Sequence, residues 1–144
     1  MHSGPVAPTD SNSKFDALVD RYLRAQNETD VEAIVCLLTT DVEHEQIGAV
    51  KDAVHGIAAA RLRFLQQFAG ACFERDVPLR RLYGDGFVVD ERIWEGRVTG
   101  RIGHVDAISR RVSQRVLHVF EMRGDRVARV TVYQDLAAVV RQLS

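Results

Sequence analysis

The order of the patterning predicts an α+β fold, with helices first and antiparallel strands after. Three observations carry this. Up to about Cys72, apolar residues recur at i, i+3 and i+4, the period of an amphipathic helix. Beyond Cys72 the period falls to two. There, Gly84-Asp85-Gly86 and Arg123-Gly124-Asp125 punctuate β-rich runs as turns do. Helical and strand patterns do not alternate, which argues against a doubly wound parallel sheet.

Met1–Ser13 is small, polar and proline-bearing and predicts a disordered lead-in; residues 14–144 form the single domain. Phe15, Leu18, Val19, Tyr22 and Leu23 share one face of a helix over Lys14–Gln26. Asn27–Asp30 breaks it, and Thr29 or Asp30 can cap a second helix carrying Val31, Ile34, Val35 and Leu38. Asp41–Gly48 reads as a short strand. Gly56 precedes a third helix, Ile57–Cys72, whose apolar face is Leu65, Phe68, Ala69 and Cys72. Strands are expected at Asp76–Leu82, Phe87–Gly96, Val112–Met122 and Arg126–Tyr133, the last two as a hairpin. Arg97–Arg110 holds two glycines and little periodicity and predicts a loop, and Asp135–Leu143 a closing helix.

Composition excludes more than it names. Lys plus Arg number 19 and Asp plus Glu 20, for a net charge of −1. Such a balance lacks the basic footprint of a nucleic-acid binder or of a protein drawn to anionic membranes. No apolar run reaches the ~20 residues of a membrane span, and the N-terminus has no apolar segment of the secretory kind. Cys36 and Cys72 sit in apolar helical patterns and predict reduced thiols in a cytoplasmic protein. Glycine-rich phosphate loops, HExxH, GxSxG and CxxC motifs are all lacking.

Three segments bear a resemblance. RYLRAQNETDVEAIVCLLTTDVEHE resembles the two opening helices and short strand of the nuclear transport factor 2-like superfamily, and VHGIAAARLRFL its third helix. VLHVFEMRGDRVARVTVYQDLAAVVRQL resembles the hairpin and terminal helix of SnoaL-like polyketide cyclases. Together the resemblance spans Phe15–Leu143. It implies a cone-shaped, cystatin-like fold, with N-terminal helices packed in a curved antiparallel sheet and a pocket at the open end. It implies no metal and no organic cofactor. Function is less determined, since this fold hosts isomerases, cyclases, epoxide hydrolases and binders.

The same resemblance marks candidate site residues. Tyr22, in RYLRAQN, resembles the oxyanion-stabilising tyrosine of ketosteroid isomerases; it can equally fill the apolar face of its helix. The isomerase base falls on Gln46 and its second donor on Leu117, so that mechanism does not transfer. Arg92, in Glu91-Arg92-Ile93-Trp94, resembles the arginine of limonene-type epoxide hydrolases. Their aspartates fall on Trp94 and Val132, and their water-positioning pair on His44 and Gln46. Asp135, in VYQD, resembles a SnoaL-like site aspartate and also stands where a helix cap would.

The family phase points His44, Gln46, Asp90, Arg92 and Trp94 inward. Simple patterning instead buries Phe87, Val89 and Ile93 and leaves Asp90 and Arg92 in solvent. In the inward reading His44 is the acid–base group, Arg92 and Tyr22 hold developing negative charge, and Asp90 orients them. Gln46, Trp94, Leu117, Val132 and Asp135 then contact substrate. His118, out of phase with Leu117, is expected on the outer face, and His2, His55 and His104 in tail, turn and loop. Phe87, Val89 and Ile93, with Val116, Phe120 and Met122, form an apolar second phase that predicts a homodimer through the outer sheet face. Three functions stand: acid–base catalysis on a hydrophobic small molecule, non-catalytic binding of one, or a role carried by the sheet-face interface.

Overall fold

The computed structural model describes residues 10–48 and 52–144, with side chains from Asn12 onward. The expected lead-in falls mostly on residues 1–9, outside the described residues; residues 10–13 belong to the first helix.

Helix α1 (Asp10–Asn27) buries Leu18, Val19, Tyr22 and Leu23 as the helical period requires. The short α2 (Val31–Val35) is capped by Asp30, whose side chain accepts from Ala33 N at 3.1 Å. Strand β1 (Leu38–Ile47), the two-residue β2 (Val54–His55) and helix α3 (Ile57–Ala69) complete the first half. The stripe that α3 buries is Ala60 and Phe64, with Leu65 exposed, so its inward face is rotated from the expected one. Phe64 decides this rotation: it is fully buried against Tyr22 and His44. Cys36 caps α2 and Cys72 lies just beyond α3, both free and exposed rather than inside apolar helix faces.

Four long strands complete the sheet: β3 (Ala71–Gly84), β4 (Phe87–Ile102), β5 (Val105–Arg123) and β6 (Arg126–Gln134). Helix α4 (Leu136–Leu143) closes the chain. The sheet is curved and unclosed, in the order β2-β1-β6-β5-β4-β3. Its pairs are antiparallel except β1 with β6, which run parallel. The expected loop at Arg97–Arg110 is instead the far end of the β4–β5 hairpin. Val98, Ala107 and Val112 alternate inward there against Val139 and Leu143 of α4. A register shift between Val98 and Gly100, with Gly100 at φ +106, breaks the period that would have revealed a strand.

Two apolar clusters result. The larger joins α1, α2 and α3 to the inner face of the sheet; the smaller lies under α4, and Trp94 packs against both. Gln142 fixes α4 in place by bonding both Ser113 N, at 2.8 Å, and Ser113 O, at 2.7 Å.

Strand β3 lies at the sheet edge, where Pro78 costs no ladder bond. Its register slips between Phe73 and Arg75, and again between Pro78 and Arg80. Each slip inserts one residue and exchanges the faces of the residues beyond it. Asp76, opposite Trp94, and Arg81, opposite Asp90, therefore both face inward despite their odd separation.

Candidate active site

Between the two clusters lies a cavity of about 220 Å³. Leu23, Gln26 and Asn27 of α1 line one side, and Leu136 and Val139 of α4 the other. Its floor is the inner face of the sheet: Arg92, Trp94 and Val98 on β4, Gln114, Val116 and His118 on β5, Val132 and Gln134 on β6. The Trp94 indole lies over Gly96, where a Cβ would overlap the ring and the Cys72 carbonyl; glycine there gives the indole its place.

Arg92 is the charged centre. Its Nε donates to Asp90 Oδ1 at 2.6 Å, its Nη2 to Asp90 Oδ2 at 3.0 Å, and its Nη1 to Asp76 Oδ2 at 2.5 Å. Asn27 donates to the same Asp76 oxygen at 3.0 Å, tying the end of α1 to the edge strand. Asp90 is shared with Arg81, whose Nε lies 3.0 Å from Oδ2 and whose Nη1 reaches Asp16 and Asp20. Burial alone would raise the Asp90 pKa, but hydrogen bonds and charge from Arg92 and Arg81 outweigh it and hold the carboxyl below its ordinary range. Burial likewise works against the Arg92 charge, which Asp90 and Asp76 restore. The ion pair is thus an anchor: Asp90 is a fixed acceptor and no base.

His118 is directly opposite Asp90 on the neighbouring strand and opposite Val132 on the other side. It is 2% exposed, and both ring nitrogens lack a hydrogen-bond partner among the described residues. Burial, together with the Arg92 charge and against that of Asp90, lowers its pKa to about 4. At neutral pH the imidazole is uncharged, with one N–H and one lone pair unengaged. The expectation that His118 faces outward is thereby corrected, and with it the placing of Val116, Phe120 and Met122 on the outer face: Val116 and Phe120 are buried and Met122 packs on the core. Leu117 takes the outer phase instead, opposite Glu91 and Tyr133, and lines no part of the cavity. Arg115 and Glu121 share that phase, which sends it to solvent.

Of the other expected site residues, Arg92, Trp94 and Val132 line the cavity. Tyr22 stands behind His118, its ring edge-on to Phe120 at 5.0 Å and to His118 at 6.3 Å. Its hydroxyl has no partner among the described residues, and burial raises its pKa, so the phenol stays protonated. His44 faces inward, fully buried, but lines no part of the cavity and packs against Phe64 at 4.9 Å. Burial first, then the proximity of His118 and Arg63, lowers its pKa to about 3. Gln46 reaches the site only through Gln67, to which it donates at 3.1 Å. Asp135 is exposed and caps α4, accepting from Ala138 N at 3.0 Å. The expected convergence of His44, Gln46 and Tyr22 with Arg92 on one cavity is therefore replaced by His118, Gln114 and Asp76 around Arg92. Pro78 inside a strand pattern is the signal for the slip that brings in Asp76. Among the described residues no group of three or more His, Cys, Asp or Glu is arranged to hold a metal ion, and no helix is long and apolar enough to cross a membrane.

This layout, a pocket between helices and a curved sheet, meets a clear counterpart among known proteins. The SnoaL-like polyketide cyclase profile matches residues 16–143. The chain belongs to the SnoaL-like polyketide cyclase family. Membership supports small-molecule chemistry of the cyclase or isomerase type. Among solved structures, a LEH-like epoxide hydrolase of M. tuberculosis superposes with a TM-score of 0.70 at 19% identity, over 91% of this chain and 90% of that one. A Catenulispora acidiphila protein with a ketosteroid isomerase-like fold gives 0.73 at 15%, over 88% and 91%. TsrD of Streptomyces laurentii gives 0.73 at 21%, over 92% and 96%. At such identities the likeness is one of fold. No protein of curated function matches the sequence.

Proposed function

We propose that this SnoaL-like protein is an enzyme that moves a proton on a hydrophobic carbonyl compound held in the cavity, as in cyclisation, hydration, dehydration or isomerisation. The observation that carries the reading is the buried, unpartnered His118 imidazole beside Arg92 in a cavity otherwise lined by apolar and amide side chains. Arg92 has five N–H groups, of which three are committed to Asp90 and Asp76. The remaining two polarise the carbonyl oxygen, and the neutral His118 takes the proton from carbon and returns it. Asp90, Arg81 and Asp76 hold the guanidinium in place for this. Tyr22 and His44 are packed in the core beside the cavity and line no part of it. The acid–base role expected of His44 passes to His118.

Solvent deuterium exchange into apolar ketones, followed by NMR, tests the proton step without knowledge of the product. His118→Phe is expected to slow exchange roughly 10²–10⁴-fold. Because the base acts unprotonated, the rate is expected to rise with pH through about 4 and to be flat above it. Exchange unchanged by the substitution overturns the reading; binding of ketones without exchange makes the protein a binding module.

We also propose a homodimer through the outer sheet face. Ile47, Tyr133, Leu82 and Phe87 are exposed on that side of the sheet, and each is at least 40% accessible to solvent. Sedimentation at micromolar concentration is expected to give twice the chain mass, and Tyr133→Asp a monomer; a monomeric wild type rejects the dimer.

A further inference from the structure

Resting on the reading of the cavity as a small-molecule site, we infer that its ligand is an uncharged, elongated, largely apolar molecule that carries a hydroxyl at the end read by Gln114, remote from His118, and that carboxylates are excluded. Two independent features lead there.

The first is the pattern of unmet hydrogen bonds. Gln114 Oε1 is buried and has no partner among the described residues, so it calls for a donor. A hydroxyl meets that demand, while the unpartnered His118 stays free at the other end for the proton step. Gln114 and His118 lie on the inner face of β5, four residues apart, about 13 Å along the strand. Val116 lies between them, so the middle of the ligand rests on apolar surface.

The second is charge. Two guanidiniums, Arg92 and Arg81, meet four carboxylates: Asp76, Asp90, Asp16 and Asp20. Arg92 is therefore a hydrogen-bond donor without uncompensated positive charge. A carboxylate moved into the cavity loses its water and gains no free counter-ion.

The test uses three probes of one shape: the para,para′-diol of biphenyl, its dimethyl ether and the matching dicarboxylate. Trp94 is the sole tryptophan of the chain and lines the cavity, so its fluorescence reports occupancy, with calorimetry as the second readout. The diol is expected to bind at least about tenfold tighter than the ether, which offers no donor to Gln114. The dicarboxylate is expected to bind weakest. Gln114→Leu is expected to bring the diol down to the affinity of the ether and leave the ether unchanged. The wild-type ranking needs no variant to fold. A dicarboxylate or an ether that binds as tightly as the diol overturns the inference, as does failure of all three to perturb Trp94. None of these outcomes depends on turnover, so binding selectivity without deuterium exchange retains this inference while removing the catalytic one.

Discussion

Acidification from pH 7 to pH 4 is expected to cost the fold on the order of 5 kcal/mol through two buried histidines alone. The cause is the pair of buried imidazoles. His44 and His118 are each 2% exposed, and their pKa values fall to about 3 and about 4 from an ordinary 6.5. The unfolded chain therefore binds protons below about pH 6.5 that the folded chain refuses until pH 3–4. Stability rises with pH wherever the unfolded state holds more protons, so it is fully present above about 6.5 and drains away below. Each tenfold loss of proton affinity on folding corresponds to about 1.4 kcal/mol, and a domain holds only about 5–15 kcal/mol in all. The charged neighbours do not reverse the sign: His118 faces Asp90 and Arg92, while His44 faces His118 and Arg63. Urea unfolding followed by circular dichroism across this range reads the slope. Constant stability from pH 7 to pH 5 would refute the account, and His118→Phe is expected to flatten the slope by about half.

Replacement of Asp90 by Ala is expected to destabilise the protein by about 3–5 kcal/mol. The carboxylate is buried between Arg92 and Arg81, whose side chains are 10% and 15% exposed, and its loss removes the acceptor of Arg92 Nε and Nη2 and of Arg81 Nε. The cost arises from buried charged donors left without that acceptor, with only Asp76, Asp16 and Asp20 still in place. The exposed Arg101–Asp106 pair, at 3.2 Å, is the control: Asp106→Ala is expected to change stability by less than about 1 kcal/mol. Similar losses for the two substitutions would mean that Asp90 is not the centre of the charged cluster.

The chain alone determined a good deal. The change of period near Cys72, the hairpin at Arg123-Gly124-Asp125 and the apolar stripe of α1 placed helices before strands, because side-chain periodicity follows directly from backbone geometry. Arg92 and Trp94 were legible as a shared strand face for the same reason. Tertiary structure alone decided three things. The phase of β5 was one: a period of two has two solutions, and only pairing of His118 with Asp90 and Val132 selects the inward one. The inward turn of both Asp76 and Arg81 was another, since a slip of register leaves no more trace in sequence than Pro78. The third was the chemistry of the histidines. An imidazole with a pKa near 6.5 invites an acid–base role wherever it occurs; burial beneath Phe64 withdraws His44 from the cavity, while the gap between two apolar clusters leaves His118 facing it.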